Sequence, residues 1–339
     1  MSSLIRHVTP IPQERAKGLL AQVYTQVDAE FSSIGPAVAM MSPAPELMAA
    51  GWSLMRESQL AGEASAVDKT LVALGAARAN GLDYDVEAFL AVLRLLGEAE
   101  LAEAAGRGEP PADPDRAALL EWAASTGLAA REPLEAPFAG ARAAEFLGTL
   151  LFTHFIDRVA AAMLPAGLTP GTLDPADLPP FEGAPVLRGP GQDLRPGTTL
   201  PLLDGLPAQE PPAWADGLPI GRAYAALAAT AAQGAGLLTP AAAETVSRVI
   251  AEHRGRRLPE TGPLEEPLAA LPEEERAGAR VAILAGLAPE AVTDEQVADW
   301  RATDRRLSDH CTVYLLAHGA MTAVTHIEAD LTRTAPGGR

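Results

Sequence analysis

Between residues 165 and 219, thirteen prolines and eight glycines occupy 55 positions. Each proline removes a backbone N–H and locks φ, so this stretch can form neither a regular helix nor an inner strand. A structureless loop of that length is improbable inside one compact domain. The stretch therefore reads as a connector, dividing the chain into a lobe at 1–164 and a second lobe at 220–332, with 333–339 expected as a disordered tail.

On both sides of the connector, apolar residues recur at helical spacing, and strand-length β-branched runs are missing. The fold class expected is all-α. Helices are predicted over about 12–30, 43–60, 66–79, 84–105, 114–127, 140–164, 220–235, 239–254, 272–287, 293–304 and 308–332. Punctuation supports several of these boundaries. Thr239-Pro240 reads as a cap followed by proline at the first helical position, Pro43 and Pro45 suit a first turn, and Asn80-Gly81 suits a left-handed stop.

With 339 residues and 48% hydrophobic content, the chain can bury a substantial core. The net charge of −18, with scattered acids and no basic patch, argues against nucleic acid as the main partner. The N-terminus MSSLIRHVTPIPQERAKG lacks an apolar leader, and no segment offers about 18 uninterrupted apolar residues, so neither export nor membrane insertion is expected. The expected setting is cytoplasmic. Cys311 is the one cysteine, so no intramolecular disulfide and no thiolate metal cluster can form.

The segment ARANGLDYDVEAFLAVLRLLG (77–97) stops one helix and starts another, with Leu82, Asp85 and Phe89 at i, i+3 and i+7 of one stripe and Thr70 on the preceding helix. The longer run MMSPAPELMAAGWSLMRESQLAGEASAVDKTLVALGAARANGLDYDVEAFLAVLRLLG (40–97) resembles the core of the AhpD-like alkylhydroperoxidase, or carboxymuconolactone decarboxylase, family. LGTLLFTHFIDRVAAAML (147–164) is similar to a further motif of its longer members, and LPEEERAGARVAILAGLA (271–288) carries a weaker likeness. The resemblance implies an AhpD-like helical bundle and a homo-oligomer, trimer or hexamer.

In the family's peroxidase branch, the site runs glutamate, eleven residues, cysteine, two residues, cysteine, three residues, histidine. A peroxidatic thiolate needs a proton relay to form it and a second thiol to resolve it. Laid on this chain, the motif falls on Thr70, Leu82, Asp85 and Phe89, and a histidine common just before the SPAP stretch is replaced by Met41. All of these chemical groups are gone, although Ser42 to Leu47, Asn80, Tyr84 and Gly97 of the frame remain.

What could act in their place is acid–base chemistry. Asp85 is either a first-turn acid favoured by the helix dipole, with Asp83 as cap, or a desolvated proton carrier between Leu82 and Phe89. Thr70 reads as a packed residue bonding back to a carbonyl. His154 has Asp157 and Arg158 at i+3 and i+4, which allows an Asp-oriented imidazole or a purely structural set.

His310, His318 and His326 advance about 80° per eight residues, so they cannot converge on one metal. RGRR (254–257) reads as a solvated helix end, with an anion site as the alternative. The expectation is a protein without cofactor or metal, in which Asp85, His154 and Asp157 transfer protons and Met41, Thr70, Leu82, Tyr84 and Phe89 line a pocket for an apolar small molecule. The reaction would be a proton transfer, cyclisation, isomerisation or decarboxylation. A non-catalytic scaffold, a carboxymuconolactone decarboxylase-like lyase and a single-cysteine peroxide reductase are the alternatives, in that order.

Overall fold

The computed structural model describes residues 5–31, 34–128, 132–165, 194–258 and 264–334. Fourteen α-helices are found among them: α1 Gly18–Glu30, α2 Pro36–Ala39, α3 Pro45–Met55, α4 Ala66–Asn80, α5 Asp83–Leu95, α6 Ala99–Gly106, α7 Pro114–Ala124, α8 Ala143–Met163, α9 Pro219–Ala232, α10 Pro240–Glu252, α11 Glu265–Ala269, α12 Glu273–Leu287, α13 Asp294–Ala302 and α14 Asp309–Thr334. No β-strand occurs among the described residues, where pairing is limited to two isolated bridges, Ala61 with Leu194 and Leu128 with Arg257. The all-α class is confirmed. The expected tail at 333–339 lies, from residue 335 on, outside the described residues.

Local chemistry sets the boundaries. Thr239 accepts a hydrogen bond from Ala242 N while Pro240 opens α10, and Gly81 closes α4 at φ +63°, a conformation that a side chain would strain. Several expected boundaries move: the helix expected from residue 12 begins at Gly18, and the one expected to residue 60 ends as α3 at Met55. Pro43 stays outside α3, which opens at Pro45, and the single helix expected over 84–105 breaks into α5 and α6 at Gly97, where φ is +84°.

Helices α4 and α8 are buried on nearly all sides, and α4 packs against α5, α7 and α8. On the far side of α8 lie α14 and α12, and α14 touches α9 and α10. One hydrophobic core runs from Ile5 through α8 to Leu331, drawing on helices from both sides of the connector. A smaller cluster of Val67, Leu71, Leu74, Leu90, Leu93, Ala102, Ala105 and Leu120 joins α4 to α5, α6 and α7. Helix α8 is the one described helix long and apolar enough to cross a membrane, but 83% of its apolar window is buried inside the protein, which marks it as a core helix.

The described part of the connector is held by buried charge. Arg56, 1% exposed, pairs with Glu30 and Glu57 and donates to Arg195 O at 3.1 Å. Glu57 in turn accepts from Gly197 N at 2.6 Å and from the Thr199 hydroxyl at 2.7 Å. Burying these carboxylates is tolerable because every charge meets an opposite charge or a donor.

Candidate functional site

The polar centre forms where the C-terminal end of α4 meets the middle of α8. Asn80, Asp157, His154 and Arg158 are all at most 1% exposed, so each must find its hydrogen-bond partners inside the protein. Arg158 can only donate, and its Nη1 lies 3.0 Å from Asn80 Oδ1, which therefore is the amide oxygen. The amide nitrogen then faces the other way and donates to Asp157 Oδ2 at 2.8 Å.

His154 Nδ1 lies 3.0 Å from Asn80 Oδ1 and 3.2 Å from Arg158 Nη1, and Nε2 lies 2.7 Å from the Thr126 hydroxyl, which itself donates to Ala123 O at 2.7 Å. Gly127 makes this approach possible: φ is +69°, and a Cβ there would stand 2.8 Å from His154 Cε1. Burial, and next the neighbouring Arg158 charge, push the imidazole pKa well below its usual range, so His154 is neutral. The sequence suggested that Asp157 orients this ring. The structure assigns that task to Asn80 and Thr126, because Asp157 projects toward the amide nitrogen instead.

Arg158 ties the two sequence halves together. Its Nε donates to Gly286 O at 3.0 Å, its Nη2 to Gly255 O at 3.1 Å and its Nη1 to His154 O at 2.8 Å. Burial brings its pKa down to about 9, still well above neutrality. The RGRR segment that supplies Gly255 is no solvated end. Arg254 and Arg256 both pair with Glu132 and Asp330, and Arg257 pairs with Glu290. Paired with carboxylates in this way, none of the three is a free anion receptor.

Asp157 and Asp85 face one another electrostatically. Desolvation, and then the Asp85 charge, raise the Asp157 carboxyl well above the usual carboxylate range, whereas hydrogen bonding by Asn80 opposes the rise less strongly. Asp85 is also raised, by desolvation first, with an interaction from Asp157 working against it. Asp85 retains some surface, whereas Asp157 has none, so the upward shift is the stronger one at Asp157. Asp157 Oδ1 has no hydrogen-bond partner among the described residues.

Asp85 sits in the first turn of α5 as expected, but the N-cap is Leu82 and makes no side-chain bond, while Asp83 is the first helical residue. Asp83 therefore is not the cap. Thr70 bonds back to Ala66 O at 2.7 Å. The remaining pocket candidates disperse. Met41 is in the main core, Leu82 and Tyr84 pack on its edge, and Phe89 packs on the smaller cluster. Desolvation, followed by the Asp85 charge, pushes the Tyr84 phenol up to about 12. Among the described residues no group of three or more His, Cys, Asp or Glu side chains assembles that could hold a metal.

The sequence reading gave Asn80 no chemical role and passed over Thr126 and Gly127 altogether. Asn80 next to a helix-ending glycine carried a signal, since a buried amide at a helix end needs partners on a neighbouring element. Thr126 and Gly127 carried none, because their role depends on where α8 lies.

An all-α bundle whose central helices α4 and α8 enclose a histidine, an amide, a carboxyl and a guanidinium is the class of protein this structure defines. No family profile matches the chain, and no solved structure matches it. A curated relative does: the chain is similar to a protein named alkyl hydroperoxide reductase Rv2159c from Mycobacterium tuberculosis, with 34% identity over 337 residues, covering 98% of this chain and 96% of the relative. The chain belongs to the AhpD-like alkyl hydroperoxide reductase family.

Proposed function

We propose that this protein has lost thiol-based peroxide reduction and is a non-redox enzyme that moves protons on an apolar small molecule. The observation that carries the reading is the Asp85–Asp157 pair. At the position of the motif's second cysteine stands a carboxyl, partly exposed and raised, backed by a wholly buried carboxyl raised further still. Two acids in unlike environments divide the labour of acid and base. Asp85 takes a proton from a substrate carbon and delivers it, or the Asp157 proton exchanged for it across the pair, to another substrate atom, so both carboxyls return to their starting state and substrate mass is unchanged. In this reading Leu82, Tyr84 and Phe89, which neighbour Asp85 along the chain at the start of α5, supply the apolar approach for the substrate.

The test is exchange in D₂O. The purified protein is incubated with a metabolite extract and deuterium incorporation is followed by mass spectrometry. The wild type labels at least one metabolite, and Asp85→Asn lowers the rate by roughly 10²–10⁴. Labelling that survives in Asp85→Asn, or no labelling at all, removes the proposal. In parallel, no turnover of an alkyl hydroperoxide with a dithiol reductant is expected. Robust turnover that Cys311→Ala abolishes would restore redox chemistry.

A second reading, a non-catalytic scaffold, draws on Arg158, whose guanidinium is spent on backbone carbonyls across the core. We extend the proposal to a homo-oligomer, trimer or hexamer, in the cytoplasm; sedimentation at micromolar concentration checks the assembly.

A further inference from the structure

A cleft of about 290 Å³ opens between α3 and the start of α14, away from the buried pair, lined by Glu46, Gln233, Leu237, His310, Cys311 and Tyr314. Glu46 lies in the first turn of α3, and its Oε2 is buried without a hydrogen-bond partner. Tyr314, 6% exposed, lines the same cleft, and no hydrogen bond ties its hydroxyl to another described residue. A buried carboxylate oxygen left without a donor is costly unless something supplies one. No lysine or arginine is among the described side chains that line the cleft.

The rest of the wall restricts what the donor can be. His310 Nδ1 lies 3.1 Å from Pro43 O and must carry the proton there, so that nitrogen is already spent. Its ring rests on Tyr314 with centroids 4.7 Å apart, and together with Leu237 the two rings give the cleft an aromatic and apolar side. Anions are repelled by Glu46 and gain no compensating cation. A neutral alcohol could satisfy one acceptor but would leave the carboxylate charge uncompensated. An ammonium group satisfies both needs, and aromatic faces favour it further.

We propose that this cleft binds a small organic ammonium ion, its N–H groups taken by the Glu46 carboxylate and its carbon portion resting on Tyr314, His310 and Leu237. The electrostatics agree: after desolvation, the Glu46 charge is what raises the Tyr314 phenol, to about 12, so carboxylate and phenol share one field.

The probes are 2-phenylethylammonium and its uncharged counterpart 2-phenylethanol, added to the full chain. The chain has four tyrosines, so ring-labelled tyrosine gives a resolvable NMR spectrum in which Tyr314→Phe assigns the fourth signal. The ammonium probe should shift the Tyr314 signal saturably at millimolar concentration or below, and the alcohol should not. Glu46→Gln should weaken binding by about tenfold or more, and Glu46→Asp, which keeps the charge, should recover part of the loss. A shift of equal size from the alcohol, an unchanged affinity in a folded Glu46→Gln, or no Tyr314 shift up to about 10 mM probe would overturn the assignment.

Discussion

At the scale of single residues, the buried carboxyl and the buried imidazole impose opposite pH dependences. Asp157 is raised in the folded state, so its contribution to stability is complete below the unfolded carboxylate value of about 4 and is lost as pH rises toward the folded value. His154 is lowered, so its contribution is complete above about pH 6.5 and is lost as pH falls. Asp157→Asn keeps an oxygen for Asn80 and removes the titration. Chemical denaturation across pH should show this variant gaining on the wild type as pH rises; parallel curves would mean Asp157 is not raised. Gly127→Ala should cost about 1–2 kcal/mol for the left-handed backbone, and about 1–3 kcal/mol more for the collision with His154. An unchanged midpoint in urea would show that the ring can move aside. Of these residues, His154 and Asp157 were legible as candidates from spacing on α8, and Asp85 from its place in the stripe on α5. Their partners were not, since Asn80, at the end of α4, and Thr126, in the turn after α7, lie 74 and 28 residues from His154 in sequence.

Among the elements, α8 is the hub, and Arg158 is its link to the second half through Gly255 and Gly286. Arg158→Met preserves length and packing but strands two buried carbonyls, and should destabilise by about 2–4 kcal/mol, read as a lower denaturation midpoint. The α12–α14 contact is just as demanding: a Cβ on Gly319 would lie 2.0 Å from Ala282 O. Gly319→Ala must therefore separate two helix backbones, with a cost of about 1–3 kcal/mol. Helix identity and most ends were readable from periodicity and from Thr239-Pro240 and Asn80-Gly81, because those signals are local. The break at Gly97 was missed because apolar spacing continues across it from α5 into α6.

For the whole molecule, the Pro/Gly-rich stretch suggested two lobes, and the helices on its two sides contribute to one continuous core. Apolar packing of that extent couples the parts, so thermal unfolding followed by circular dichroism and by tryptophan fluorescence should give one coincident transition. Two separated transitions would mean that the lobes melt independently.

The amino-acid sequence by itself determined the all-α class, most helix ends, the family resemblance and the absence of a second thiol, because each follows from residue type and short-range spacing. Tertiary structure alone decided that Asp157 meets Asp85, that Asn80 rather than Asp157 orients His154, and that Glu46 faces Tyr314. Those relations join residues far apart in the chain, and the energy of a buried charge depends on which distant groups surround it.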